Sequence, residues 1–122
     1  MASLNLDSKL QKWLFVCSRN KRRSLTAEKI LARIDGLEVR SAGTQPGARV
    51  ALSAGLIGWA DIVFWMEKSH LNRANERFGE EIDGRENVVL GIPDDFEFMQ
   101  IELVEELRAK LEDFVDWPDE IA

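Results

Sequence analysis

The sequence predicts an α/β protein: a doubly wound, four-stranded parallel sheet with helices on both faces. Three observations carry this reading. Strand-like runs recur at 12–17, 37–43, 60–66 and 87–92. Segments with apolar residues at helical spacing fall between and after them. Gly, Pro and Asp-Gly breaks separate the two kinds of segment. The resulting order, βαβαβαβα, implies parallel strands joined by right-handed crossovers.

Each element has its own warrant. KWLFVC (12–17) is an apolar run that stops at a charged loop, the pattern of a strand buried on both faces. From Ser24 to Ile34, the residues Leu25, Ala27, Ile30, Leu31 and Ile34 recur with a helical period, and Asp35-Gly36 supplies a stop. LEVRSAG (37–43) alternates as a strand does and breaks at Gly43, after which TQPGAR is a loop. Residues 52–60 make a short helix, and ADIVFWM (60–66) is the most apolar strand in the chain. A polar helix is expected from Glu67 to Phe78, ended by Gly79. NVVLGI (87–92) is the fourth strand, broken by Pro93. Residues 101–115 then place Ile101, Val104, Leu107, Leu111, Phe114 and Val115 along one helix face.

A chain of 122 residues suits a single domain over residues 1–122, with no linker or repeat. Hydrophobic residues at 45% and charged residues at 31% match an ordinary globular protein. No apolar run approaches the roughly 20 residues a membrane-spanning helix needs. MASLNLDSKLQKW has polar residues where a signal peptide requires a continuous apolar stretch, so a cytoplasmic location with no membrane partner is expected. The single cysteine excludes an internal disulfide and a multi-cysteine zinc cluster.

The net charge of −6 hides an asymmetry. The first forty residues carry nine basic and four acidic side chains, the remainder seven and eighteen. This points to a small anion site on an acidic body rather than a surface that coats nucleic acid. The acidic run from Glu102 to Glu120 reads as a solvated helix face and tail.

The basic excess centres on the loop after the first strand. In open parallel sheets, ligands bind beyond the carboxyl ends of the strands, and Cys17 falls at that edge. A loop entering a helix near Ser24 can turn several backbone N–H groups toward one anion, and the helix dipole adds positive potential. The same field favours a thiolate. Five residues separate Cys17 from Arg23, enough to wrap a tetrahedral phosphate and set the sulfur beneath its phosphorus. The planar guanidinium of Arg23 can grip two phosphate oxygens as the transition state flattens. The Ser24 hydroxyl can donate to the sulfur.

The segments LFVCSRNKRRSLTAE, VRSAGT, ADIVFWMEKSH and IPDD, in that order over about residues 12–95, resemble the low-molecular-weight protein tyrosine phosphatases, and among them a compact bacterial branch. The resemblance implies a hydrolase that forms a cysteinyl-phosphate and needs no metal or other cofactor. Cys17 would be the nucleophile, Arg23 the phosphate clamp and Asp94 the general acid. Ser18, Arg19, Asn20, Lys21, Arg22 and Ser24 would make up the phosphate-binding loop, with Asn20 bonded to Ser41.

Departures from the family pattern are informative. Arg19 stands where a glycine is usual, which puts the loop's backbone in question because glycine tolerates positive φ and arginine does not. Arg22 replaces the usual second cysteine, removing disulfide protection of the nucleophile. Asp94 is followed by Asp95 rather than Pro, so Asp95 competes with it as the acid, with Asp94 favoured. Phe96 or Phe98 is placed to stack on an aromatic leaving group. The extra arginines open a second substrate class beside phosphotyrosine proteins, namely nucleotide or terminal RNA phosphates. A non-catalytic phosphate-binding module is the rival reading. Asp94 as a helix cap and a solvated Arg19, Lys21 and Arg22 are the plainer alternatives, and a lone His70 on the third helix is left out of the site.

Overall fold

The apolar run Trp13–Cys17 forms the body of strand β1 (Gln11–Cys17) in the computed structural model, which describes residues 10–117. Residues 1–9, most of the segment read as too polar for a signal peptide, and Asp119 and Glu120 of the acidic tail lie outside the described residues. The remaining elements follow the expected order: α1 (Arg23–Leu31), β2 (Leu37–Gly43), α2 (Ala54–Trp59), β3 (Ile62–Trp65), α3 (Lys68–Asp83), β4 (Glu86–Val89) and α4 (Ile101–Lys110). All three strand pairings are parallel, and the sheet order is β2-β1-β3-β4.

Alternation along β1 divides the core into two layers. Trp13, Phe15 and Cys17 face one side, where Ala27 and Ile30 of α1 and Leu103 and Leu107 of α4 cover them. Leu14 and Val16 face the other side, against Ile57 of α2 and Ala74 and Ile82 of α3. Covering on both faces is why β1 reads as a continuous apolar run. Phe15 and Phe64 stack across adjacent strands with ring centroids 4.7 Å apart. No helix among the described residues is long and apolar enough to cross a membrane.

The structure corrects three expectations. Helix α3 passes through Gly79 to Asp83, with a local kink at Phe78 (φ −128°, ψ 30°). Burial of Ile82 in the core outweighs the roughly 1 kcal/mol cost of a mid-helix glycine. The inward stripe of α4 is Leu103 and Leu107, continued by Leu111 at the C-cap and flanked by a partly buried Val104, whereas Ile101 is 58% exposed, because a first-turn residue two positions before Leu103 points away from the sheet. Phe114 and Val115 lie beyond the end of the helix. Helix α1 starts at Arg23 and ends at Leu31, and Gly36, with φ 86°, turns the chain into β2.

From β1 the chain crosses to β2 on one side, and the later strands are laid down on the other. The reversal falls between β1 and β3, so the end of β1 lies at the topological switch point where open sheets bind ligands. Cys17 is the last residue of that strand.

Candidate active site

Cys17 is 3% exposed, and its sulfur sits between two donors. The backbone N–H of Asn20 points at Sγ from 3.3 Å, and Ser24 Oγ lies 3.0 Å away. Asn20 Nδ2 donates to the same Ser24 oxygen at 2.8 Å. A hydroxyl that accepts from an amide has its one proton free to give. The arrangement therefore directs the Ser24 proton toward the sulfur, with Ala42 O, at 3.5 Å, the weaker acceptor.

The loop's shape comes from one residue in the left-handed region, Asn20 with φ 60°. Asparagine tolerates this conformation better than most side chains. Arg19 does not carry a positive φ, so its replacement of glycine is compatible with this backbone. The expected Asn20–Ser41 bond does not form. Ser41 Oγ instead donates to Glu28 Oε1 on α1. The reason is geometric: Asn20 Nδ2 is turned to Ser24, four residues along the same loop and helix start.

A second loop, after β2, braces the first. Thr44 N–H donates to Cys17 O, Gln45 N–H to Ser18 O and Arg49 N–H to Arg19 O, at 2.9, 2.9 and 3.0 Å. The Arg49 side chain completes the row, with Nε donating to Asn20 O at 3.2 Å and Nη2 3.9 Å from Glu28. Four consecutive carbonyls are thus turned toward residues 44–49, and none of them is left to repel an anion in the pocket. Gly43 makes this approach possible, since a Cβ there would lie 2.5 Å from Ser18 O and 2.7 Å from Ala48 Cβ.

Arg23 is 2% exposed. Its Nη1 donates to Glu67 Oε1 at 2.7 Å and to Ile92 O at 2.8 Å. Five donors are available on a guanidinium, so the Nε–Nη2 edge remains to grip two oxygens in a bidentate pair. Asp94 Oδ1 lies 3.8 Å from Nε. The pocket, about 260 Å³, is lined by Cys17, Ser18, Arg19, Lys21, Arg22, Arg23, Gln45 and Asp94. The N-cap position of α1 is Arg22, with no side-chain cap, so the first turn of the helix keeps N–H groups for a ligand.

The structure thus brings together Cys17, Ser18, Arg19, Asn20, Lys21, Arg22, Arg23, Ser24 and Asp94. Asp95 is exposed and is not among the pocket's lining residues. Asp94 is not a helix cap, because Gln100 holds that position on α4. Neither phenylalanine walls the pocket: Phe96 packs against the core and Phe98 is 44% exposed.

Sequence reasoning misses Gln45, which lines the pocket, and two residues behind it, His70 and Glu67. His70 Nε2 lies 3.0 Å from Ser18 Oγ, and its Nδ1 accepts the Glu67 N–H at 3.0 Å. With Nδ1 an acceptor, the neutral ring carries its proton on Nε2 and donates to Ser18. Burial, and next the Arg23 charge, push the His70 pKa down to about 4, against the pull of Glu67 and Asp94. Glu67, the anchor of Arg23, is the N-cap of α3, and His70 completes a capping box with it. Glu67-x-x-His70 differs from the usual Ser/Thr-x-x-Glu/Gln signature, so the sequence carries no ready signal of that box.

No family model matches the chain, and no curated protein matches it by sequence. Solved structures do. SP-PTP, a low molecular weight protein tyrosine phosphatase from Streptococcus pyogenes, superposes with a TM-score of 0.72 at 16% identity, covering 88% of this chain and 95% of that one. Wzb of Vibrio vulnificus, in complex with benzylphosphonate, gives 0.65 at 20% identity over 85% and 94%. The YwlE arginine phosphatase of Geobacillus stearothermophilus gives 0.61 at 23% identity over 88% and 99%. The chain has the fold of the low-molecular-weight protein tyrosine phosphatases.

Proposed function

We propose that this protein is a cysteine-dependent phosphomonoesterase. The observation that carries the reading is the convergence on one sulfur of the Asn20 N–H and the Ser24 hydroxyl, under a pocket walled by Arg23 and Asp94. In the first step Cys17 Sγ attacks phosphorus and the bond to the leaving oxygen breaks. Asp94 gives that oxygen its proton. Loop N–H groups and the free edge of Arg23 hold the three equatorial oxygens as charge shifts. In the second step water attacks the cysteinyl-phosphate and the S–P bond breaks. The Asp94 carboxylate takes the water's proton, and the thiolate returns to its two donors.

Arg19, Lys21 and Arg22 add three positive charges to the rim of the pocket. With neither phenylalanine walling the pocket, its selectivity rests more on charge than on stacking. This favours highly charged phosphomonoesters, nucleotide phosphates among them, over phosphotyrosine in a protein chain.

Hydrolysis of p-nitrophenyl phosphate by the wild type, Cys17→Ser and Asp94→Ala tests the reading. Phosphate release by the wild type, abolished in Cys17→Ser, is the expected result. A wild type no faster than Cys17→Ser that still binds phosphate would make the protein a phosphate-binding module instead.

A further inference from the structure

The phosphate pocket is one end of a longer depression. A groove of about 710 Å³ shares Ser18 and Gln45 with it and continues along α3 past His70 to Arg73 and Arg77. A narrower slot of about 190 Å³ shares Gln45, Arg73 and Arg77 with the groove and ends on Leu52 and Phe78. Gln45 lines all three, and the Arg19 side chain reaches it at 3.5 Å.

Arg73 and Arg77 stand one helical turn apart on the same face and are both exposed. Like charges at this spacing repel, and no ion pair among the described residues relieves either one. Glu76 lies on the groove wall without pairing to them. The Arg77 guanidinium is held 4.9 Å above the Phe78 ring, and both residues line the slot. Only seven of the chain's basic residues follow Arg40, against eighteen acidic ones, so two unpaired arginines beside the phosphate pocket interrupt an acidic surface. Such a pair is a complement for a second phosphate.

We infer that Arg73 and Arg77 form a second anion subsite, and that the substrate is a phosphomonoester carrying a second phosphate group some way from the one that is cleaved. This rests on the phosphatase reading for the cleaved group and extends it to the rest of the substrate. The cleaved phosphate sits over Cys17, the body of the molecule crosses Gln45, and the second phosphate is chelated by the two guanidinium groups.

The test compares adenosine 3′,5′-bisphosphate with adenosine 5′-monophosphate, which share a body and differ by one phosphate. The ratio of their kcat/KM values should favour the bisphosphate by about tenfold or more in the wild type, the size of a charge-assisted contact. It should fall by about tenfold in Arg73→Gln/Arg77→Gln, which leaves any preference due to Arg19, Lys21 and Arg22 in place, and using a ratio removes any general loss of folded protein. A wild-type ratio near one, or a ratio the double substitution leaves intact, overturns the subsite. Binding of the same two nucleotides to Cys17→Ser separates the two claims. If turnover is absent while this binding preference is present and lost with Arg73 and Arg77, the subsite stands and the phosphatase reading falls. Turnover without the preference removes the subsite and leaves the phosphatase reading standing.

Discussion

The two segments that meet across the pocket are held to very different degrees. Residues 17–23 have four carbonyls tied to residues 44–49, a buried Asn20, and a buried Arg23 anchored to Glu67 at the start of α3 and to Ile92 O. Residues 94–100 are largely exposed. Phe96 packs against the core and the Met99 N–H to Thr26 Oγ1 bond fastens them to α1, together with an exposed Arg22–Glu97 pair 3.8 Å apart that is worth little. On the proposed function, the difference maps onto the two jobs of a phosphoryl transfer. Charge on the phosphate must meet donors fixed beforehand, whereas the acid must follow leaving groups of varied shape.

Several substitutions sharpen or break that contrast. Arg23→Lys should cost the most, about 10³-fold in kcat/KM or about 4 kcal/mol, because an ammonium cannot keep two oxygens and the Glu67 anchor together. Steady-state hydrolysis of an aryl phosphate measures it, and a loss under tenfold would mean that the clamp is not preorganised. Gly43→Ala should lower stability by about 3 kcal/mol in urea unfolding, since its Cβ meets backbone at 2.5 Å and backbone cannot swing aside. An unchanged midpoint would show that the two loops can part without penalty.

His70 makes the braced side sensitive to acid. Its folded pKa, about 4, lies below the ordinary histidine value of 6.5, so between these pH values the unfolded chain holds a proton that the native protein lacks. Stability should be fully present above pH 6.5 and decline as pH falls toward 4, by at most about 3 kcal/mol. His70→Gln should flatten the part of the slope that this group contributes, read from chemical denaturation across that range. An unaltered slope would assign the acid sensitivity to other groups. The lightly held side should show the smallest structural response: Asp94→Asn should slow turnover about 10²-fold with an unfolding midpoint within ~0.5 kcal/mol of the wild type. Asp95→Asn should leave turnover within about twofold, and a larger loss there than at Asp94 would exchange their roles.

What the sequence discloses follows the same division. The apolar run of β1, the charged loop and the helix after it are local signals, and they place Cys17, Arg23 and Ser24 correctly relative to one another. The alternation βαβα yields the parallel sheet. The bracing is not legible, because it joins residues far apart in the chain: Arg23 meets Glu67 across 44 positions, and Ser18 meets His70 across 52. Whether Asn20 bonds Ser41 or Ser24 turns on side-chain direction, which spacing does not encode. Gly79 misleads because a local helix breaker is overruled by the burial of Ile82, a tertiary effect.

Gly43 and the three amides beyond it, Thr44, Gln45 and Arg49, leave one practical consequence. The Thr44, Gln45 and Arg49 N–H groups bond to the carbonyls of Cys17, Ser18 and Arg19 and not to anything inside the pocket. The Arg49 amide resonance is therefore a sentinel, reporting deformation of the loop from a residue that lines none of the three cavities, whereas Gln45 lines the pocket and Thr44 the groove beside it.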